Sequence, residues 1–232
     1  MLLRERFFHS ATAARVAPFV IFVLLTAGQG KFGAASAYWF YLAKTIVGLW
    51  LIWEMRAVVA EMRWAFSWEA VAVGVAVFAV WVGIDGGWTT QISLWPKLGL
   101  SAVANDAPGA WNPNEHFGSM LALLFIAVRI LGSTFIVPPL EEVFYRSFLY
   151  RFIANQNFLN VPLNKFLPWP FLATALVFGF SHNEWLAGIL CGAAYQWLVL
   201  RKNRLGDAMT AHAITNFLLG AWVVGRGAWN FW

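Results

Sequence analysis

Glu141 and Glu142 stand side by side in Leu140-Glu141-Glu142-Val143-Phe144-Tyr145-Arg146, directly after Pro138-Pro139. Ionisable groups in strongly apolar segments are costly, so they pair with one another or do chemistry. On a helix Glu142 and Arg146 are i and i+4 with the acid first, the better order for an ion pair. Glu141 lies about 100° around the same helix and is left outside that pair. Two histidines also fall in apolar runs. His182 closes Val177-Phe178-Gly179-Phe180-Ser181-His182, and the His212-x-x-x-Asn216 spacing puts both side chains on one helix face. A carboxylate and a histidine within hydrogen-bond reach can hold a water and take its proton. A second histidine with an amide one turn away offers donors to a developing oxyanion. Together they describe water attack on a carbonyl, hence peptide hydrolysis inside a membrane. His9 and His116 occupy flanking polar segments and carry no role.

The elements that must position these groups are membrane helices. Of 232 residues, 60% are hydrophobic and only 12% charged, about half the charge of a soluble domain. The aromatic share of 18% also excludes a disordered chain. A single cysteine, Cys191, excludes a disulfide framework and any cysteine-based metal site. The net charge of +5 gathers in loops, with no basic tract interleaved with aromatics, so no nucleic-acid partner is expected.

Apolar runs predict an all-α, multi-pass bundle of seven or eight helices. The first spans are Val16–Gly28, Ala34–Trp53 with a lone Lys44, and Ala70–Ile84. No small-residue cleavage pattern follows the first, which is expected to stay as a helix rather than act as a signal peptide. Asp85–His116, with Pro96, Pro108 and Pro113, reads as an extramembrane loop with an interfacial piece near Ile92–Leu100. A fourth span, Gly118–Val137 with Arg129 inside, is expected to end at Pro138-Pro139, because proline removes a donor and clashes with the preceding turn. A separate short helix, Leu140–Ala154, follows, then spans at Pro170–Ser181, Leu186–Leu200 and Gly206–Val224. Gly188-x-x-x-Gly192 is the spacing that lets membrane helices pack closely. Trp53, Trp68, Trp169 and Trp185 near span ends suit interfacial belts.

Arg151, Lys165, Arg201, Lys202 and Arg204 place the C-terminal connectors on the cytoplasmic side. Counting back through four spans puts the N-terminus outside, against its own Arg4, Arg6 and Arg15. The Leu140 helix and the Pro170 span then run antiparallel, with Glu141 and His182 at the same end. Arg129, Lys44 and Glu184 read as packing or interfacial charges, and Cys191 as a small core residue.

At these motifs the sequence resembles the CAAX-protease and bacteriocin-processing family of membrane endopeptidases, also called the Abi family. Its E-E-x-x-x-R, F-x-x-x-H and H-x-x-x-N motifs stand here, in order, as Glu141-Glu142…Arg146, Phe178…His182 and His212…Asn216. The resemblance covers roughly residues 118–224. It implies a glutamate protease in which Glu141 and His182 activate water, His212 and Asn216 form the oxyanion site, and Glu142 and Arg146 support them. It also implies no required cofactor or metal, although a zinc site from Glu141, His182 and His212 is chemically reasonable. The chain also looks like the bacterial subgroup associated with exosortase and PEP-CTERM sorting. The organisation that follows is one integral unit: residues 1–117 supply N-terminal helices and a loop, and 118–232 the catalytic bundle. Expected partners are membrane lipid and a membrane-associated peptide or lipidated protein, in a bacterial plasma membrane.

Rival hydrolases lack their nucleophiles. There is no H-E-x-x-H, no Gly-x-Gly-Asp and no Gly-x-Ser-x-Gly. Two other readings stand beside the enzyme. One is a catalytically silent immunity or partner-binding factor on the same scaffold; the other is a small transporter relaying protons through its Glu and His. Absence of internal repeats disfavours the transporter.

Overall fold

A computed structural model describes residues 10–84, 86–100 and 110–232; Arg4, Arg6, His9, Asp85 and Pro108 lie outside the described residues. Among the described residues the chain is all-α, with eight helices and no strand beyond one isolated bridge between Lys31 and Gly33. They are α1 (Ala11–Ala27), α2 (Ser36–Met55), α3 (Trp68–Gly83), the short α4 (Gln91–Lys97), α5 (Ser119–Ala154), α6 (Pro168–Phe180), α7 (Trp185–Lys202) and α8 (Gly206–Arg226). Ser10 and Ser67 start α1 and α3 by accepting hydrogen bonds from the N–H groups of Ala13 and Ala70, satisfying donors that a helix start otherwise leaves orphaned.

The boundary expected at Pro138-Pro139 is not there. Residues 119–154 form one continuous helix of 36 residues. A π-helical stretch, Gly132–Ile136, immediately precedes the prolines, and a second, Val143–Leu149, follows Glu142. The wider π turn shifts the hydrogen-bonding register, so the prolines fall where a new α segment, Val137–Glu142, begins. At that position a missing N–H and the ring bulk are tolerated.

The fused helix also corrects the orientation. α1 begins beside the connector between α2 and α3: the Arg15 guanidinium bonds both Glu61 oxygens, at 2.8 and 2.9 Å, and the Ser147 hydroxyl of α5. Glu61 also holds Arg151, at 2.9 Å. At the same end Glu69 of α3 pairs with Arg201 and Lys202, and Arg204 with Asp207. The start of α1 therefore lies at the end of the bundle that carries the basic connectors, not opposite it. Two separate elements over residues 118–154 would have added a chain reversal that the continuous α5 does not make.

The core is built from α6 on α7, α3 on α8 and α1 on α2, with α5 threading between them. A Cβ on Gly188 would stand 2.9 Å from the Gly179 Cα, and one on Gly192 3.2 Å from the Ala175 Cα. Small residues are what let α6 and α7 approach this closely. Apolar side chains also cover the outside: Met120 is 86% exposed, Leu123 64% and Trp169 66%. Such a surface is unsuited to water and suits lipid. Two helices, α5 and α8, are long and apolar enough to cross a membrane.

Candidate active site

The polar groups singled out by the sequence converge on one cavity of about 400 Å³. Glu141, His182, His212 and Asn216 all line it. Glu141 comes from the middle of α5, His182 from the turn after α6, and His212 and Asn216 from successive turns of α8.

Glu142 is fully buried and bridges two helices. One oxygen accepts a hydrogen bond from the His212 Nδ1, at 2.9 Å; the other sits 3.2 Å from Arg146 Nε. That second contact is an ion pair by distance but is not aligned as a hydrogen bond. Arg146 is also fully buried; its Nη2 donates to the Gly192 carbonyl at 3.3 Å, and its guanidinium lies 4.4 Å over the Phe178 ring. The i, i+4 pair expected from spacing is thus present. Its bond to His212, seventy residues away, is additional. Glu141 keeps one buried oxygen without a hydrogen-bond partner among the described residues.

His182 is fixed through its Nδ1, which meets the Phe178 carbonyl at 2.8 Å and the Ser181 hydroxyl at 3.1 Å. A carbonyl can only accept, so Nδ1 carries the proton and Nε2 keeps a free lone pair. The rings of Phe178 and Trp81 pack on this imidazole, with centroids at 4.7 and 5.5 Å. Ser181 in turn accepts from the Tyr145 hydroxyl. By the same reasoning the Glu142 carboxylate requires His212 Nδ1 to be the protonated nitrogen. The Tyr195 ring stacks on His212 at 5.1 Å, and Tyr195 bonds Thr215 one turn along α8. Asn216 donates one amide hydrogen to the Ser133 carbonyl at 2.8 Å, leaving its second hydrogen free.

Several groups on or around the cavity escaped the sequence reading. Gln91 of α4 donates its amide to the carbonyls of Phe180 and His182, at 2.6 and 2.8 Å, and its backbone N–H to Asn183. The interfacial helix therefore clamps the turn that carries His182. Lys44, Arg129 and Glu184, read above as packing or interfacial charges, are all cavity-wall residues. Lys44 does not snorkel: it is buried, bonded to the Thr26 hydroxyl and set over the rings of Phe22 and Tyr41. Among the described residues, no three His, Cys, Asp or Glu side chains converge in a metal-holding group.

Comparison with known proteins bears on this geometry. Residues 120–218 match the family model described as type II CAAX prenyl endopeptidase Rce1-like. The segment is Rce1-like. It contains Glu141, Glu142, Arg146, His182, His212 and Asn216 and leaves α1 to α4 outside. No curated protein and no solved structure matches the chain. The Rce1-like match bears out the resemblance carried by the three motifs, over that segment.

Proposed function

We propose that the chain is a multi-pass, glutamate-type endopeptidase that cuts a membrane-associated peptide, in a bacterial plasma membrane. Residues 118–232 form its catalytic part and residues 1–117 complete the bundle. The observation that carries the reading is one cavity holding a carboxylate with an unpaired oxygen, a histidine whose Nε2 is bare, and a second histidine and amide on α8.

Glu141 and the Nε2 of His182 hold a water, take one proton from it as it attacks the scissile carbonyl, and return that proton to the leaving amine nitrogen as the C–N bond breaks. The free N–H of Asn216 meets the oxyanion. His212 joins it as a donor only when Nε2 is protonated as well, since Nδ1–H is committed to Glu142. The Glu142 oxygen that accepts from His212 orients its ring, and Arg146 lies against the other oxygen. The chemistry needs no metal or cofactor, because its base, donors and counter-charges are all side chains.

Glu141→Gln, His182→Ala and His212→Ala should each lower turnover by about 10³-fold, within the range for losing a positioned acid–base group. Helical circular dichroism and elution volume should match the parent. The assay compares N- and C-termini of the membrane proteome with active and with Glu141→Gln enzyme, in the presence and absence of a strong chelator. Identical termini for the two proteins would leave the scaffold as a silent partner-binding factor, and loss of cleavage in chelator would restore the zinc alternative.

A further inference from the structure

The cavity wall carries two cations that the proposed mechanism does not use. Arg129 stands on the same stripe of α5 as Ser133, Val137 and Glu141, at four-residue steps, and all four line the cavity. Its guanidinium forms no hydrogen bond and no ion pair with a described residue; it lies among the rings of Tyr41, Trp111 and Trp232, at 4.8, 4.4 and 5.2 Å. Lys44 faces the same space from α2, is 6% exposed, and has one hydrogen bond, to a neutral hydroxyl. No carboxylate of a described residue lies within 4 Å of either cation. Lys44 and Arg129 share the Tyr41 ring, at 4.4 and 4.8 Å from its centroid. The other acid on the wall, Glu184, accepts from Asn183 beside His182.

Unpaired cations in an apolar interior are expensive, and buried charges are ordinarily paired. Aromatic faces offset part of that cost but accept no hydrogen bond. We propose that Lys44 and Arg129 form a subsite for a carboxylate of the substrate. Lys44 lies outside the matched family segment, so this subsite belongs to the particular architecture of this chain. The inference rests on the endopeptidase reading and sharpens it, because it names the group beside which the peptide is cut. That carboxylate is either the peptide's own C-terminus or an acidic side chain.

Binding separates the two sources without requiring turnover. The full chain carrying Glu141→Gln, in detergent, is titrated with N-acetyl-trileucine as acid, the same tripeptide as amide, and N-acetyl-Leu-Asp-Leu amide. The acid should bind at least about 10-fold tighter than the amide, a difference of about 1.4 kcal/mol. Lys44→Met or Arg129→Gln should reduce the ratio to within about two-fold, with Arg129→Lys retaining most of it. Tight binding of the aspartyl amide would assign the carboxylate to a side chain and still support the subsite. Equal binding of all three peptides, or a preference that survives both neutral variants, would overturn it. A parallel assay offers wild-type enzyme a pool of N-palmitoylated decapeptides. No cleavage there, with the acid preference intact, would sink the endopeptidase reading and leave the carboxylate site standing.

Discussion

Glu142 is the residue on which the buried charges depend, because it faces Arg146 along its own helix and His212 across to α8. Glu142→Gln would leave Arg146 buried without a counter-charge. Removing one member of such a pair typically costs about 3–5 kcal/mol, whereas replacing both by apolar groups is often nearly neutral. The single variant should therefore melt well below the parent, and Glu142→Gln combined with Arg146→Met should regain most of the loss. Activity should not return with stability, since the neutral amide can still accept from His212 but no longer offers it a counter-charge. A double variant that is both stable and fully active would show that Glu142 serves folding alone. Glu61 makes the second prediction at this scale. Burial pushes its carboxyl up, but the Ser147 hydroxyl and the Arg15 guanidinium outweigh that and hold it below the ordinary carboxylate range. A depressed acid contributes stability above its unfolded value, near 4.3, that is lost as pH falls through the folded one. Glu61→Gln should cost about 1–3 kcal/mol at neutral pH and flatten the acid limb of a melting-temperature profile. At this scale the sequence carried the Glu142–Arg146 pair, since a four-residue spacing is a property of one helix. It did not carry the Glu142–His212 bond or the Glu61 cluster, because those contacts join residues 46 to 90 positions apart and exist only once helices pack.

The elements obey their local rules with one exception that matters. Hydrophobic runs placed α1 to α3 and α6 to α8 within a few residues of their observed ends, and the interfacial piece expected at Ile92–Leu100 is α4 at Gln91–Lys97. Pro138-Pro139 misled because proline's effect depends on the turn before it, and nothing in the residue pattern announces a π turn at Gly132–Ile136. Even so, the second half of α5 runs antiparallel to α6, so Glu141 and His182 still reach one cavity. α4 shows how an element outside the bundle acts on the site. Gln91 holds the carbonyls at the end of α6 and sets the turn from which His182 projects, a link between segments about 90 residues apart that no motif marks. Gln91→Ala should release that turn without emptying any core position. Turnover is expected to fall about 10- to 100-fold, as small misplacements of a catalytic group do, with little change in melting temperature. Unchanged turnover in this variant would mean that the Phe178 carbonyl and the packing of Trp81 suffice to orient His182.

For the whole molecule, the topology follows from the continuity of α5. Helix succession puts the start of α1, the α2–α3 connector, the α5–α6 connector and the α7–α8 connector at one end; in the multi-pass protein proposed above, α1 to α3 and α5 to α8 are seven spans. Arg15, Arg151, Arg201, Lys202 and Arg204 all sit there, so under the proposed multi-pass reading the positive-inside rule predicts that end to be cytoplasmic. The two arginines nearest Glu61 share one carboxylate, and Glu69 meets both Arg201 and Lys202, so this end keeps a net positive face. The turn of His182, α4 and the Asn112–His116 segment lie at the opposite end, which the rule assigns to the outside. Labelling with a membrane-impermeant thiol reagent checks this directly. Cys191 is the sole cysteine and is buried, so a Cys191→Ala background is a clean host. Cysteines placed at Gly30 and Asn114 should react in intact cells, whereas those at Ser10 and Asn203 should react only after permeabilisation. Reaction of Ser10→Cys in intact cells, with Asn203→Cys still protected, would separate the start of α1 from the basic connectors. That result could not coexist with the Arg15–Glu61–Ser147 contacts, which bind α1 to that end.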